Sequence, residues 1–583
     1  MLQFKLCRDS QTNELAIETP ICGQFLLNTP QLNKGTAFTY QERQIFGLLG
    51  KLPNRVETLD EQVKRVYMQY LRCSTTLQKN IYLTSLHSKN HVLFYKLVSR
   101  HLAEMLPVIY TPFIGTAVKE FSREYRQPRG LYISHTDQHQ IDDILNNRSN
   151  PDIDIIVVTD GEGVLGIGDQ GIGGMDIPVA KLMVYSLCGG IDPARTLPIF
   201  LDAGTNNQEL LHDPMYLGCQ NLRLTGDDYD QFISTFVKSI QRNFPNAFLH
   251  WEDFGRDNAR RILDQYQKKL CTFNDDIQGT GAVALAALIA ACDITGESLD
   301  KHRIVVCGAG SAGTGISDQI VDALISLGLT PSEAYKRFWL IDRQGLLVEG
   351  DVELTEAQRP FARQHEELLN WEKKATYPPS LFDTIRQIKP TILIGCSAQP
   401  GMFSQDIVET MTSYCQRPII FPLSNPDDKC EAHPADILKW SKGKALIATG
   451  TAFPPIEYQN RMIQIAQCNN ALVFPGIGLG ILAASAKKLT KSMIWAAAQA
   501  LSTYSPSKKD SFLPLLPLLD DAQEVAKQIA FAVANQAIEE GLGRLGAEKD
   551  LKVHIKNLFW EPRYLPYKLI NNQPFLSPPK IND

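Results

Sequence analysis

Between Thr39 and Leu106 the apolar positions recur every three or four residues, as at Val63, Val66, Tyr67, Tyr70 and Leu71, and two-residue alternation is scarce. That period gathers side chains on one face of a helix, so a helical N-terminal layer is expected over 1–127. After Pro128 the pattern changes. Short β-branched and aromatic runs ended by Gly or Asp appear at Ile153 to Thr159, Thr196 to Leu201 and Ala247 to Trp251, with helical stretches between them. Strands that alternate with helices predict a parallel α/β sheet.

A third region opens near Phe273, with further strands expected at Arg303 to Cys307, Phe338 to Ile341, Thr391 to Ile394 and Ile419 to Phe421. Beyond Asn470 the helical period returns. The chain ends in a Pro-rich tail, Pro562 to Asp583, expected to pack across a neighbour or stay loose.

Composition narrows the function. A chain of 583 residues, 44% apolar and 21% charged, is long enough for several cores and too apolar to be disordered. Its formal charge of −6, without a dense Lys/Arg block, excludes a polyanion-binding surface, so nucleic acid is not an expected partner. The 12 cysteines include no C-x-x-C pair and read as reduced thiols. No secretory signal begins the sequence, and the apolar stretches Gly281 to Ile294 and Ala471 to Ala486 fall short of the roughly 20 residues that cross a bilayer. A cytoplasmic protein with no membrane partner is the expectation.

Chemistry enters with the glycines. Arg303 to Cys307, then Gly308-Ala-Gly310-Ser311-Ala312-Gly313, then the amphipathic run Ile316 to Leu327 give strand, turn and helix in the order a dinucleotide site needs. The first glycine permits the turn, the second admits a pyrophosphate, and the third allows close helix packing, with the helix N-terminus facing the phosphates. The next strand ends at Asp342, placed to accept hydrogen bonds from a ribose. A carboxylate there would repel a 2′-phosphate and favours NAD over NADP, although Arg343 follows it directly. A second match, Gly166-Ile-Gly168-Asp-Gln-Gly171, leads into Gly173-Gly-Met-Asp176 rather than a helix and is read as an active-site loop.

Two acidic pairs end strands: Glu252-Asp253 after Trp251, and Asp275-Asp276 after Asn274. In a parallel sheet those ends border the ligand crevice, where carboxylates from separate strands converge on a hard cation such as Mg²⁺ or Mn²⁺. The alternative is that Asp253 and Asp275 cap the following helices. Lys181 lies on an apolar helical face beside Ile177, Pro178, Val184 and Tyr185; desolvation would bring it toward neutrality as a general base, the alternative being a snorkelling lysine. Tyr110 stands in a turn at the end of the helical layer and has a proton to donate. The pairs His87/His91 and His135/His139 have helical spacing but no H-E-x-x-H glutamate, and read as surface or core residues.

These residues resemble the malic enzyme family, which includes the malolactic enzymes. The likeness rests on Val-Ile-Tyr110-Thr-Pro, Val-Thr-Asp160-Gly-Glu, Gly-Ile-Gly-Asp-Gln-Gly before Lys181, Trp-Glu252-Asp253-Phe, Phe-Asn-Asp275-Asp276-Ile-Gln-Gly-Thr280, Pro-Leu-Ser-Asn425-Pro and Asn469-Asn470 ahead of Phe-Pro-Gly476, spread from about Lys34 to Trp560. The resemblance implies Tyr110 as general acid, Lys181 as general base paired with Asp275, and Glu252, Asp253 and Asp276 as metal ligands. It implies Asn425 and Asn469 at the malate or nicotinamide, and a homo-oligomer, usually a tetramer. It also implies an inserted Rossmann-type NAD-binding domain over 275–469, within a substrate domain over 128–274 and 470–541, with 542–583 as a tail.

The implied reaction converts L-malate to pyruvate and CO₂ with reduction of NAD. Typical members read Asp-Gly-Glu-Arg, the arginine binding malate and dinucleotide, whereas this chain has Gly163, as malolactic enzymes do. Arg256 and Arg129 are candidates to replace that cation. The alternative outcome is a malolactic enzyme that yields lactate on tightly held NAD. Asp-Gly-Glu and Asp-Gln-Gly, where malolactic enzymes more often show Asp-Ala-Glu and Asp-Trp-Gly, favour the oxidative reaction.

Overall fold

The computed structural model describes residues 4–8, 14–148, 150–164, 166–350, 354–369, 371, 377–544 and 550–570. The helical layer is present as Tyr40–Ile45, Leu59–Tyr70, Thr76–His87, His91–Arg100, Leu102–Ile109 and Ile114–Glu124. Thr39 with Glu42, and Thr58 with Glu61, form reciprocal capping boxes that fix two of the starts. Val63, Val66 and Tyr70 are buried as the period requires, while Leu71, one residue past its helix, is exposed.

Sequence reading missed a small sheet. Lys5–Arg8 pairs antiparallel with Leu15–Thr19, which pairs in parallel with Tyr567–Leu569. The start of the tail therefore returns to its own N-terminus, which corrects the expectation of a loose or neighbour-bound end. The Tyr567 ring lies 3.9 Å from the Lys34 ammonium, packs edge-on against Phe38 and Phe46, and donates its hydroxyl to the Leu32 carbonyl. The rest of that tail, 571–583, lies outside the described residues.

The first α/β sheet has five parallel strands: β1 (Leu131–Ser134), β2 (Ile155–Thr159), β3 (Thr196–Asp202), β4 (Phe248–Trp251) and β5 (Thr272–Asn274), ordered β1-β3-β2-β4-β5. The short β1 was not expected. The helix Asp176–Gly189, which carries Lys181, is buried along its whole length between this sheet and the helical layer.

The second sheet has seven strands: β6 (Ile304–Cys307), β7 (Phe338–Asp342), β8 (Gly345–Leu346), β9 (Ile392–Gly395), β10 (Ile419–Pro422), β11 (Leu446–Thr449) and β12 (Ala466–Gln467), in the order β8-β7-β6-β9-β10-β11-β12. All pairs are parallel except β7 with β8. The order reverses between β6 and β9, the crevice where a doubly wound sheet takes a dinucleotide.

One apolar helix is longer than expected. A π-helical turn at Asp275–Gly279 runs into the helix Thr280–Thr295, giving 21 continuous residues, long and apolar enough to cross a membrane. Its apolar window is 78% buried inside the protein, against the helices Ser311–Ser326 and Lys491–Thr503, so it is a core helix. All 12 cysteines are free.

Candidate active site

β4 and β5 are adjacent and parallel, with Trp251 opposite Asn274, so Glu252-Asp253 and Asp275-Asp276 leave the sheet side by side. They are not caps. The helix Arg256–Tyr266 starts at Gly255 without a side-chain cap, and Asn274 caps the π turn by accepting from the Ile277 amide. Glu252, Asp253 and Asp275 are buried, and a ligand oxygen from each of Glu252, Asp253 and Asp276 falls within 4.8 Å of the others. Burial, against Lys181, pushes the Glu252 carboxyl up to about 8; burial and the Glu252 charge push Asp276 up to about 7. Carboxylates crowded this way fit a divalent cation, whose charge opposes both shifts by favouring the ionised forms.

Asp253 adopts a left-handed backbone at φ +54°. Its N–H donates to Asp276 Oδ2 at 2.8 Å and its carbonyl accepts the Gly163 N–H at 2.9 Å. The loop from Asp160 to Gly171 is thus docked on the acidic segment. Gly163 is required there, because a Cβ would stand 2.5 Å from the Phe254 carbonyl oxygen. Arg223, which sequence reasoning missed, is buried and clamps the loop: it donates to Asp169 at 2.8 and 3.0 Å and to the Asp160 carbonyl at 3.1 Å.

Lys181 reaches into the cluster. Its ammonium is ion-paired with Asp275 Oδ2 and lies 3.0 Å from Glu252 Oε1, 5.3 Å from the Tyr110 ring and 4.9 Å from the Phe474 ring. The expected drift toward neutrality is reversed. Burial alone would lower this lysine, but Asp275, Glu252 and Tyr110 together hold it well above the usual range. Its neighbours along the helix are apolar as read; the charges come from other elements. Tyr110, the residue that ends the helix Leu102–Ile109, is buried, and that burial raises its phenol. Asn470 Nδ2 donates to Asp275 Oδ2 at 2.9 Å and to Thr280 Oγ1 at 3.0 Å, a partner that only its place beside Asn469 signalled.

The glycine loop follows β6 as expected. Gly308 sits at φ +98°, where a Cβ would overlap the Cys396 carbonyl, and a Cβ on Gly313 would overlap the Gly308 carbonyl. A Cβ on Gly310 would meet nothing within 4 Å, and Ser311 and Ala312 begin the helix Ser311–Ser326, so the turn leads into a helix N-terminus of the kind that suits an anion. Asp342 ends β7. Its carboxylate accepts from Gln358 Nε2 at 2.8 Å and from the Arg343 N–H at 2.9 Å, and Gln358 also donates to the Ala309 carbonyl at 2.9 Å. Asn425 is exposed beyond β10, its carbonyl 3.5 Å from where a Gly166 Cβ would lie. Asn469 is buried and turns its Oδ1 back to the Ala471 N–H.

The two candidate replacements for a cation at position 163 separate. Arg129 is ion-paired with the buried Asp176 and is committed there. The Arg256 guanidinium is half-exposed, 4.0 Å from Asp257, and its carbonyl accepts the Ser311 hydroxyl at 3.5 Å. The histidines follow the core-or-surface reading: His87 and His91 stack inside the helical layer with centroids 4.4 Å apart, and His135 and His139 lie on a 3₁₀ turn.

Two family models cover most of the chain. Residues 87–267 match the malic enzyme N-terminal domain, and residues 277–538 match the malic enzyme NAD binding domain. The chain belongs to the malic enzyme family. It is 48% identical over 549 residues to the NAD-dependent malic enzyme 1 of Vibrio vulnificus (strain YJ016), covering 94% of this chain and 98% of that protein. It is 46% identical over 562 residues to the NAD-dependent malic enzyme of Acinetobacter baylyi, covering 96% and 99%. The malic enzyme structure from Entamoeba histolytica superposes with a TM-score of 0.54 at 22% identity over 88% of this chain and 92% of that one. That from Pyrococcus horikoshii gives 0.53 at 23% over 78% and 89%. Both are likenesses of fold.

Proposed function

We propose that this malic enzyme family member oxidises L-malate to pyruvate and CO₂ with NAD⁺, using Mg²⁺ or Mn²⁺ on Glu252, Asp253 and Asp276. The observation that carries the reading is the Lys181 ammonium, buried between Asp275 and Glu252, on the edge of a carboxylate cluster that has the spacing of a cation site. When bound, the cation supplies positive charge to the C2 oxygen and a carboxylate of the substrate. NAD⁺, seated by Gly308, Gly310, Ser311, Ala312 and Gly313 with its ribose at Asp342, is the hydride acceptor.

The chain's own residues move the protons. Lys181 takes the proton of the C2 hydroxyl. It loses one of the two carboxylates that hold it charged when Glu252 is engaged elsewhere, which makes the neutral form accessible. Asp275, anchored by Asn470, keeps the amine aimed. Tyr110 donates its phenolic proton to C3 after the adjacent carboxyl group has left as CO₂. Asn425 and Asn469 line the substrate and nicotinamide side, and Gly163 holds Asp253 in place. The division is a helical region at 1–127, a substrate domain at 128–274 and 470–541, an NAD domain at 275–469 and a tail at 542–583. A cytoplasmic homo-oligomer completes the reading.

The experiment is an assay of purified protein with malate, NAD⁺ and Mn²⁺. Absorbance rising at 340 nm with equimolar pyruvate supports the proposal. Lactate formed without net NADH would overturn it in favour of the malolactic outcome.

A further inference from the structure

Behind Glu252 lies a buried polar relay that the proton steps leave unused. His250 and Glu252 are two positions apart at the end of β4, so their side chains fall on the same face of the sheet. His250 Nε2 stands 2.7 Å from Glu252 Oε2, and His250 Nδ1 stands 2.9 Å from the Tyr185 hydroxyl. All three residues are buried, and the rings of Phe273 and Phe474 pack edge-on against the imidazole. When Glu252 is ionised, as a cation ligand must be, it can only accept, so Nε2 carries the hydrogen and Nδ1 accepts from Tyr185.

His250, Glu252 and Asp275 also have the mutual spacing of a cation site, but the Lys181 ammonium already sits against Glu252 and Asp275. His250 is therefore a hydrogen-bond donor to the carboxylate rather than a ligand in its own right. Glu252 then has one oxygen held by His250 and the other by Lys181, and each oxygen keeps a further lone pair for a cation shared with Asp253 and Asp276.

We propose that His250 is a positioning residue: by donating its Nε2–H to Glu252 Oε2, with its ring fixed by Tyr185, it sets the carboxylate plane for the divalent ion. This rests on the cation reading above. Outer groups that orient ligands in this way change metal affinity by about 10- to 100-fold when removed.

Three variants separate orientation from packing. His250→Gln keeps an N–H at the Nε2 position; His250→Asn places one at the Nδ1 position, toward Tyr185, and none toward Glu252; His250→Leu has neither. The affinity for Mn²⁺ is read by paramagnetic resonance of the free ion, with thermal melting of the metal-free proteins as the control for folding. The expected result is a Kd raised about 10- to 100-fold in His250→Asn and His250→Leu, and within about threefold of wild type in His250→Gln. Should His250→Leu fail to fold, the contrast between Gln and Asn decides alone. Wild-type affinity in His250→Asn, or a loss in His250→Gln equal to that in His250→Asn, overturns the inference while the cation reading stands. Wild-type protein that binds no Mn²⁺ overturns both.

Discussion

Replacing Gly163 with alanine tests whether the docked loop holds Asp253, a proposed metal ligand, in its strained conformation. The new Cβ would meet the Phe254 carbonyl oxygen at 2.5 Å and its carbon at 3.0 Å, both backbone atoms that no rotamer change can move aside. Relief to ordinary contact needs a retreat of about 0.9 Å. That stretches the hydrogen bond from the Gly163 N–H to the Asp253 carbonyl, 2.9 Å in the native loop, out of its useful range. The lost bond costs about 0.5–1.5 kcal/mol and the overpacking about 1–3 kcal/mol, roughly 1.5–4.5 kcal/mol together. A non-glycine left-handed residue such as Asp253 itself carries about 1–3 kcal/mol of strain, so releasing one of its two backbone restraints lets it relax away from the cation. With 1.4 kcal/mol per tenfold, Gly163→Ala should weaken Mn²⁺ binding about tenfold and lower kcat/KM about 10- to 100-fold. Gly163→Arg meets the same obstacle at Cβ and should be no better. Titration with Mn²⁺ and steady-state rates check this; values within twofold of wild type for Gly163→Ala would refute the steric argument.

Three further outcomes are expected. In the metal-free protein the Glu252 and Asp276 carboxyls keep protons to about 8 and about 7, above the unfolded-chain values near 4, so the unfolded state releases its protons first and stability falls as pH rises from about 4 to 8. Urea midpoints measured at pH 5 and pH 8 should show this fall; Asp276→Asn should flatten it and also reduce Mn²⁺ affinity by more than about 100-fold. Tyr110→Phe should lower kcat for malate by about 10²- to 10⁴-fold, the span of a lost general acid, with KM for malate little changed in steady-state assays. Asp342→Ser should raise the KM for NAD⁺ and narrow the preference over NADP⁺, since the charge that repels a 2′-phosphate is gone; unchanged KM values for both dinucleotides would argue against a ribose contact.

What the sequence could reveal follows from the range of the forces involved. The glycine turn was legible because its constraints are local: Gly308, Gly310 and Gly313 act within six residues of one another. The acidic pairs were legible because parallel topology alone sends the ends of β4 and β5 to one edge. The sheet formed by Lys5–Arg8, Leu15–Thr19 and Tyr567–Leu569 was not, since its last strand is defined by a partner at the other end of the chain. Asn470 and Arg223 were missed for the same reason, their partners lying 195 and 54 to 63 residues away. The helix Thr280–Thr295 was read too short because a π turn extends it through residues that look like a loop.

The reversal at Lys181 has a physical source that reaches the whole site. Its helix supplies only apolar neighbours, which by themselves would drive the ammonium toward neutrality; Asp275 and Glu252 arrive from the sheet and overcome that desolvation. Asp275 and Glu252 then hold the one lysine, with Asp253 and Asp276 beside Glu252. Burial is what lifts Glu252 and Asp276 most, with the neighbouring carboxylate charges adding to it, and those charges would also oppose a dicarboxylic acid arriving in its ionised form. A divalent ion bound there would offset that charge, engage Glu252 and favour an anionic substrate. On the proposed reading, cation binding would favour substrate binding and release of the Lys181 proton together.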